Sequence, residues 1–230
     1  MKINTTSVLG ITLTLLSFSA QAALVAPGDV PDFDDSWFAD VVIDYSPVIN
    51  PGPNPGTAFT DPNQALGRPD VTLSSGFDCA TAILPTPEIC KFTSMGDGGS
   101  LTVRFTDNFL DGDGTTAFDL YIWEVGVAEG STVEVSADGL AWTNVGTIEA
   151  DDTLGIGIFT YGFDIDAAGF GIGDVLTYVR LTDLNLMVTS SPRGSDFDAI
   201  GAIPTVPIPA AVWLFGSGLG LLGWMKRKRA

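Results

Sequence analysis

Apolar and polar positions alternate along much of the second half of the chain, with the period of a strand rather than of a helix. Residues 100–106, Ser-Leu-Thr-Val-Arg-Phe-Thr, repeat at period two. That is the pattern of a sheet with one buried face, and it directs Leu101, Val103 and Phe105 inward. Residues 120–125, Leu-Tyr-Ile-Trp-Glu-Val, are denser in β-branched and aromatic side chains, as in a central strand covered on both faces. Residues 131–137 and 140–145 flank Asp138-Gly139. Asp-Gly readily takes the positive φ of a two-residue turn, so this stretch predicts a hairpin with Val133 and Val135 in the core. Further strands are predicted over 159–165, 177–182 and 197–203, each bounded by Gly, Asp or Ser, and one over 38–45. No stretch of ten residues outside the two ends has helical periodicity. Short strands separated by Asp and Gly turns predict an all-β chain, an antiparallel β-sandwich.

The two ends follow different rules. Lys2 precedes a mildly apolar stretch over 8–18, and small residues at Ala20 and Ala22 suit a signal peptidase, so residues 1–22 are expected to be a signal peptide with a helical core. At the other end, a run over 210–225 broken only by Ser217 leads into Lys226-Arg227-Lys228-Arg229. Such a run makes about 24 Å of helix, short of the roughly 30 Å of a hydrocarbon core, and the basic cluster acts as a stop. It predicts a marginal, transient membrane anchor. The chain thus divides into a signal peptide (1–22), an irregular lead-in with one strand (23–56), a β-sandwich domain (57–204) and a C-terminal segment (205–230).

Charge narrows the function. All 28 acidic residues lie between the ends, against only Arg68, Lys91, Arg104, Arg180 and Arg193, a net −23. A field of that sign repels nucleic acid and anionic lipid and favours divalent cations. Cys79 and Cys90 are the only cysteines, and in an exported chain they are expected to form a disulfide. The chain has no histidine, which removes Ser-His-Asp and Cys-His chemistry and the usual zinc sites. Any metal would be a hard, oxygen-bound ion.

Calcium is the candidate cofactor. Asp107, Asp111, Asp113 and Asp119 fall on one loop between two strong strands, and calcium takes six to eight oxygens with forgiving geometry. Asp196 and Asp198 would join if the sandwich brought the ends together. The alternative is a set of solvated turn aspartates, because Asp-Gly favours turns for backbone reasons alone. Trp37, Trp123 and Trp142 are candidate sugar-stacking residues, although strand tryptophans are more often buried. Glu124 or Glu134, with an aspartate, would be the pair of a carboxylate glycosidase, but both lie in strand patterns that allow them to face solvent. Arg104 and Arg180 lie mid-strand and are expected to pair with aspartates.

Two resemblances extend this reading. Val206-Pro207-Ile208-Pro209-Ala210, followed by the apolar run and the basic end, resembles the PEP-CTERM/exosortase sorting signals of Gram-negative bacteria in their Val-Pro-x-Pro-Ala variant. Ile208 stands where the commonest form has glutamate. The resemblance implies an exosortase-like processing enzyme as partner, an inner-membrane intermediate, and a final place at the cell surface or in the extracellular matrix. Within the domain, residues 61–70, 98–108, 119–126, 133–142, 178–183 and 195–200 occur in an order similar to that of a galactose-binding-like, discoidin-like jelly roll of bacterial surface proteins. That resemblance implies a jelly-roll fold whose loops bind carbohydrate or cell surfaces, with no ligand carried over. The sequence therefore leads to a non-catalytic, exported module that associates with exopolysaccharide or surface glycan. The alternatives are a structural surface protein without a specific ligand and the glycosidase.

Overall fold

The structure, a computed structural model, describes residues 22–48, 59–71, 91–186 and 194–204. Ala20 with most of the expected signal peptide, Cys79, Cys90, the Val206–Pro209 motif and the apolar run that follows it lie outside the described residues. Among the described residues no helix is long and apolar enough to cross a membrane.

The described residues form two antiparallel five-stranded sheets, a β-sandwich. One sheet has the order β1 (Ala23–Val25), β8 (Gly157–Phe163), β5 (Leu120–Gly126), β10 (Asp196–Ala202), β3 (Thr93–Ser94). The other has the order β2 (Val41–Ser46), β4 (Ser100–Arg104), β9 (Tyr178–Asp183), β6 (Ser131–Ser136), β7 (Thr143–Ile148). Only short 3-10 turns interrupt this pattern, at Asp35–Trp37, Pro62–Ala65 and Asp166–Ala168.

Side-chain alternation decides what lies between the sheets. Leu120 and Ile122 from β5, Phe163 from β8 and Ile200 from β10 meet Leu101 and Val103 from β4, Val133 and Val135 from β6, and Val179 and Leu181 from β9 in one buried cluster. Leu101, Val103 and Phe105 are buried, as the period-two pattern predicts. Strand β5 is central and covered on both faces. Its alternate residues Tyr121 and Trp123 pack on the outside against Phe33, Phe38 and Ala199. Ile122→Val removes one buried methylene from this strand. Denaturant unfolding should show a loss of about 1 kcal/mol with an unchanged m-value.

Three details differ from the sequence reading. The 131–148 hairpin forms, but its strands end at Ser136 and resume at Thr143, so the connection is six residues long instead of two. Gly139 does take a positive φ of 74°. The loop is closed by Asp138 Oδ1, which accepts from the N–H groups of Leu140 and Ala141 at 2.8 and 3.0 Å. Side-chain capping of this kind competes with the tighter turn, and Leu140, expected in the strand, is 84% exposed. The lead-in contributes two strands, β1 and β2, one to each sheet. Finally, Arg180 pairs with Glu134 at 2.7 Å and lies 4.2 Å from the Trp142 ring centroid, while Arg104 lies over the Tyr178 ring. Glu134 and the two rings thus take the place expected for aspartates.

Candidate metal centre

The loop between β4 and β5 and the turn after β8 meet at one end of the sandwich because of strand register. Leu120 of β5 is paired with Phe163 of β8, so the residues just beyond these positions, Asp119 and the Asp164-Ile165-Asp166 segment, emerge side by side. Backbone bonds hold them there: Asp119 N–H donates to the Phe163 carbonyl at 2.9 Å, and Ile165 N–H donates to Asp119 Oδ2 at 3.0 Å. Asp113 reaches the same place from the preceding loop. Gly114, with φ 77°, donates its N–H to both carboxylate oxygens of Asp166 at 3.2 and 3.1 Å. Gly112 is required for this approach, since a Cβ there would lie 2.7 Å from Asp166 Oδ1.

Asp113, Asp119 and Asp166 each present a carboxylate oxygen within 4.8 Å of the others. Oxygens bound to one calcium at 2.3–2.6 Å can be at most about 5 Å apart, so the spacing fits a shared ion. Asp119 is 2% exposed. Burial, and then the negative charges of Asp113, Asp166 and Asp164, push its pKa up to about 7, against the downward pull of the Ile165 N–H. Among the described residues no arginine or lysine pairs with the three carboxylates. A divalent cation would remove the repulsion and hold all three carboxylates ionised.

The other predicted site residues lie elsewhere. Asp107 is exposed and Asp111 is buried, and neither belongs to the triad. Asp196 and Asp198 are not brought to it. Strand β10 runs antiparallel to β5, with Ala202 opposite Leu120 and Phe197 opposite Glu124, which leaves Asp196 at the far end of β5, about 20 Å along the strand from Asp119. Asp198 accepts from the N–H groups of Asp70 and Val71 at 3.3 and 3.2 Å. Burial pushes its pKa up to about 7 in spite of those bonds. Asp166, which the sequence reading left out, completes the triad, and only strand pairing brings it near Asp119.

The tryptophans do not share one platform. Trp123 is 5% exposed and packs edge-on to Phe33, which also touches Trp37. Trp142 lies on the other sheet, beneath the Arg180 guanidinium. The two glutamates weighed as alternatives, each with an aspartate, for a glycosidase pair lie on different sheets, Glu124 on β5 and Glu134 on β6. Glu124 is fully buried, contrary to the solvent-facing position that its strand pattern allowed.

No protein-family model matches the chain, and no curated protein is significantly similar to it in sequence. Fold and site therefore rest on the residues themselves.

Proposed function

We propose that this chain is an exported, non-catalytic surface module of jelly-roll type. In this reading a calcium ion stabilises it at the Asp113–Asp119–Asp166 end, and it associates with exopolysaccharide or surface glycan after an exosortase-like enzyme has processed its tail. The convergence of three carboxylates, with no basic partner among the described residues, supports the calcium half. The signal-like start, the Val206–Pro209 motif with its apolar run and basic end, and the net charge of the middle domain support the route to the surface. Anionic polysaccharide matrices are rich in divalent cations, and an acidic protein joins such a matrix more readily through bridging ions than by direct charge attraction.

A structural surface protein without a specific ligand is the second reading. It is favoured by the burial of Trp123 and the position of the Arg180 guanidinium over Trp142, which keep these two rings from forming a joint sugar-stacking face. Cosedimentation of the full chain with the producing organism's extracellular polysaccharide separates the two. Saturable binding in millimolar calcium that is lost in EDTA supports the matrix module. Absence of binding in both conditions supports the structural protein.

A further inference from the structure

The outer face of the second sheet carries a basic side chain that no carboxylate of the described residues neutralises. Leu101 and Val103 of β4, Val179 and Leu181 of β9, and Val133 and Val135 of β6 enter the core. Alternation therefore sets Arg104 of β4, Tyr178 and Arg180 of β9 and Glu134 of β6 on the opposite face. Register places them in neighbouring rows, with Arg104 opposite Tyr178 and Arg180 opposite Glu134. Among the described residues Arg68, Lys91 and Arg180 each pair with an acid. Arg104 is exposed and belongs to none of these pairs. Asp40, whose N–H donates to the Arg104 carbonyl, has its own Oδ2 occupied by the N–H and hydroxyl of Thr106 at 2.6 and 2.9 Å.

Aromatic rings tie these groups into one patch. Arg104 Cζ lies 5.2 Å from the centroid of the Tyr178 ring. Tyr178 meets Trp142, just before β7, edge-on, with centroids 6.5 Å apart and planes at 76°. Arg180 Cζ lies 4.2 Å from the Trp142 centroid. Arg180 Nε and Nη2 both donate to Glu134 Oε2, at 2.8 and 2.7 Å, so its donors are engaged and serve to fix Trp142. A guanidinium over a ring keeps its N–H donors in its own plane, and that fork fits a carboxylate in two parallel hydrogen bonds. Only Arg104 offers such a fork on this face. The next row along the strands, Thr132 opposite Thr182, adds two half-buried hydroxyls.

We infer that Arg104, held over Tyr178 beside the Trp142–Arg180 pair, binds the carboxylate of a uronic-acid residue in an acidic polysaccharide. A uronate carries its carboxylate on the pyranose ring itself, so one sugar can meet the Arg104 fork and the half-buried Tyr178 and Trp142 rings together. The net charge of the chain opposes an anionic polymer only at long range. At physiological salt, charges farther away than about 8 Å are largely screened, whereas the bidentate bond acts at contact. The inference rests on the glycan-associating reading above and deepens it, adding to the ion bridge at the triad a contact that needs no calcium and shares no residue with it.

Titration of the nitrogen-15-labelled full-length chain with a soluble galacturonic-acid tetrasaccharide, in EDTA and physiological salt at pH 7.5, tests it by NMR. The Arg104 Nε–H and Trp142 indole N–H resonances should move saturably while that of Trp123 stays in place. A neutral galactose tetrasaccharide should bind about tenfold more weakly, and Arg104→Gln should weaken uronate binding by about the same factor, the scale of one charge-assisted hydrogen-bond pair. The inference is overturned by the absence of a saturable shift, by equal affinity for the acidic and neutral sugars, or by folded Arg104→Gln binding uronate like the wild type. Should Arg104→Gln fail to fold, the comparison of the two sugars on the wild type still decides. Calcium-dependent cosedimentation with polysaccharide but no uronate titration in EDTA would leave the matrix reading standing and overturn this inference; the titration without the cosedimentation would do the reverse.

Discussion

In EDTA the chain should become less stable as pH rises from about 4 to about 7, the reverse of ordinary acid denaturation. Asp119 and Asp198 each have a folded-state pKa of about 7 against an ordinary value of 3.8. Between these limits the folded state keeps protons that the unfolded chain has released, so the unfolding free energy falls with rising pH. Each group contributes at most about 1.4 kcal/mol per pH unit within the window. Two such groups, discounted for residual hydration, still amount to a loss of several kcal/mol. Glu124 and Asp196 are also raised well above their ordinary values, chiefly by burial, and act in the same sense. Asp61 and Asp138 work in the opposite sense. Backbone N–H donors hold their carboxyls below the usual range, and that stabilisation is lost only as the solution becomes more acidic still. Urea unfolding at several pH values in EDTA would therefore place maximum stability near about pH 4–5. Calcium should remove the Asp119 share of the decline, because the cation selects the ionised carboxylates of the triad, and should leave the Asp198 share in place. A flat or rising profile in EDTA would show that these groups are neutralised by something other than protons or metal.

Gly194→Ala is expected to cost roughly 3 kcal/mol or more, and it is the most damaging single-methyl change considered for this chain. Gly194 has φ 84° and leads directly into β10, and a Cβ there would lie 2.2 Å from the Gly96 carbonyl carbon and 2.4 Å from its oxygen. Both the left-handed backbone and backbone-to-backbone contact oppose a side chain, and no flexible group can move aside. The same substitution at Gly169 is the control. Its φ is 95° with nothing within 4 Å of the added Cβ, so only the backbone term of about 1 kcal/mol applies. Comparable midpoints for the two variants in thermal unfolding would refute the close approach of the 96 and 194 segments.

The fold was legible wherever a strand was long enough to show a period. Strands β4, β5, β6, β9 and β10 fall within a residue or two of their expected positions, because each carries at least two inward apolar side chains on one parity. Strands β1 and β3, of three and two residues, are too short to display alternation and are defined by their partners β8 and β10. The same parity rule already contained the burial of Glu124, since it follows Leu120 and Ile122 at steps of two. A preference for placing carboxylates in water hid that consequence. The triad was half legible. Asp113 and Asp119 are local in sequence, whereas Asp166 joins them only through the pairing of β5 with β8, which no spacing along the chain encodes. The burial of Trp123 depends on the lead-in folding back, with Phe33 at 5.2 Å from its ring centroid, a long-range contact that composition cannot reveal.

In the proposed function, carboxylates from the β4–β5 loop and the turn after β8 are joined by calcium at the Asp113–Asp119–Asp166 end. Thermal unfolding of the full-length chain at pH 7.5, in EDTA and in millimolar calcium, with Asp119→Asn/Asp166→Asn measured alongside, tests it most directly. Calcium should raise the wild-type midpoint by several degrees, the scale of about 2–3 kcal/mol of ligand linkage, and should raise that of the variant by distinctly less. Identical wild-type midpoints in EDTA and calcium, or an equal calcium shift in wild type and variant, would contradict it.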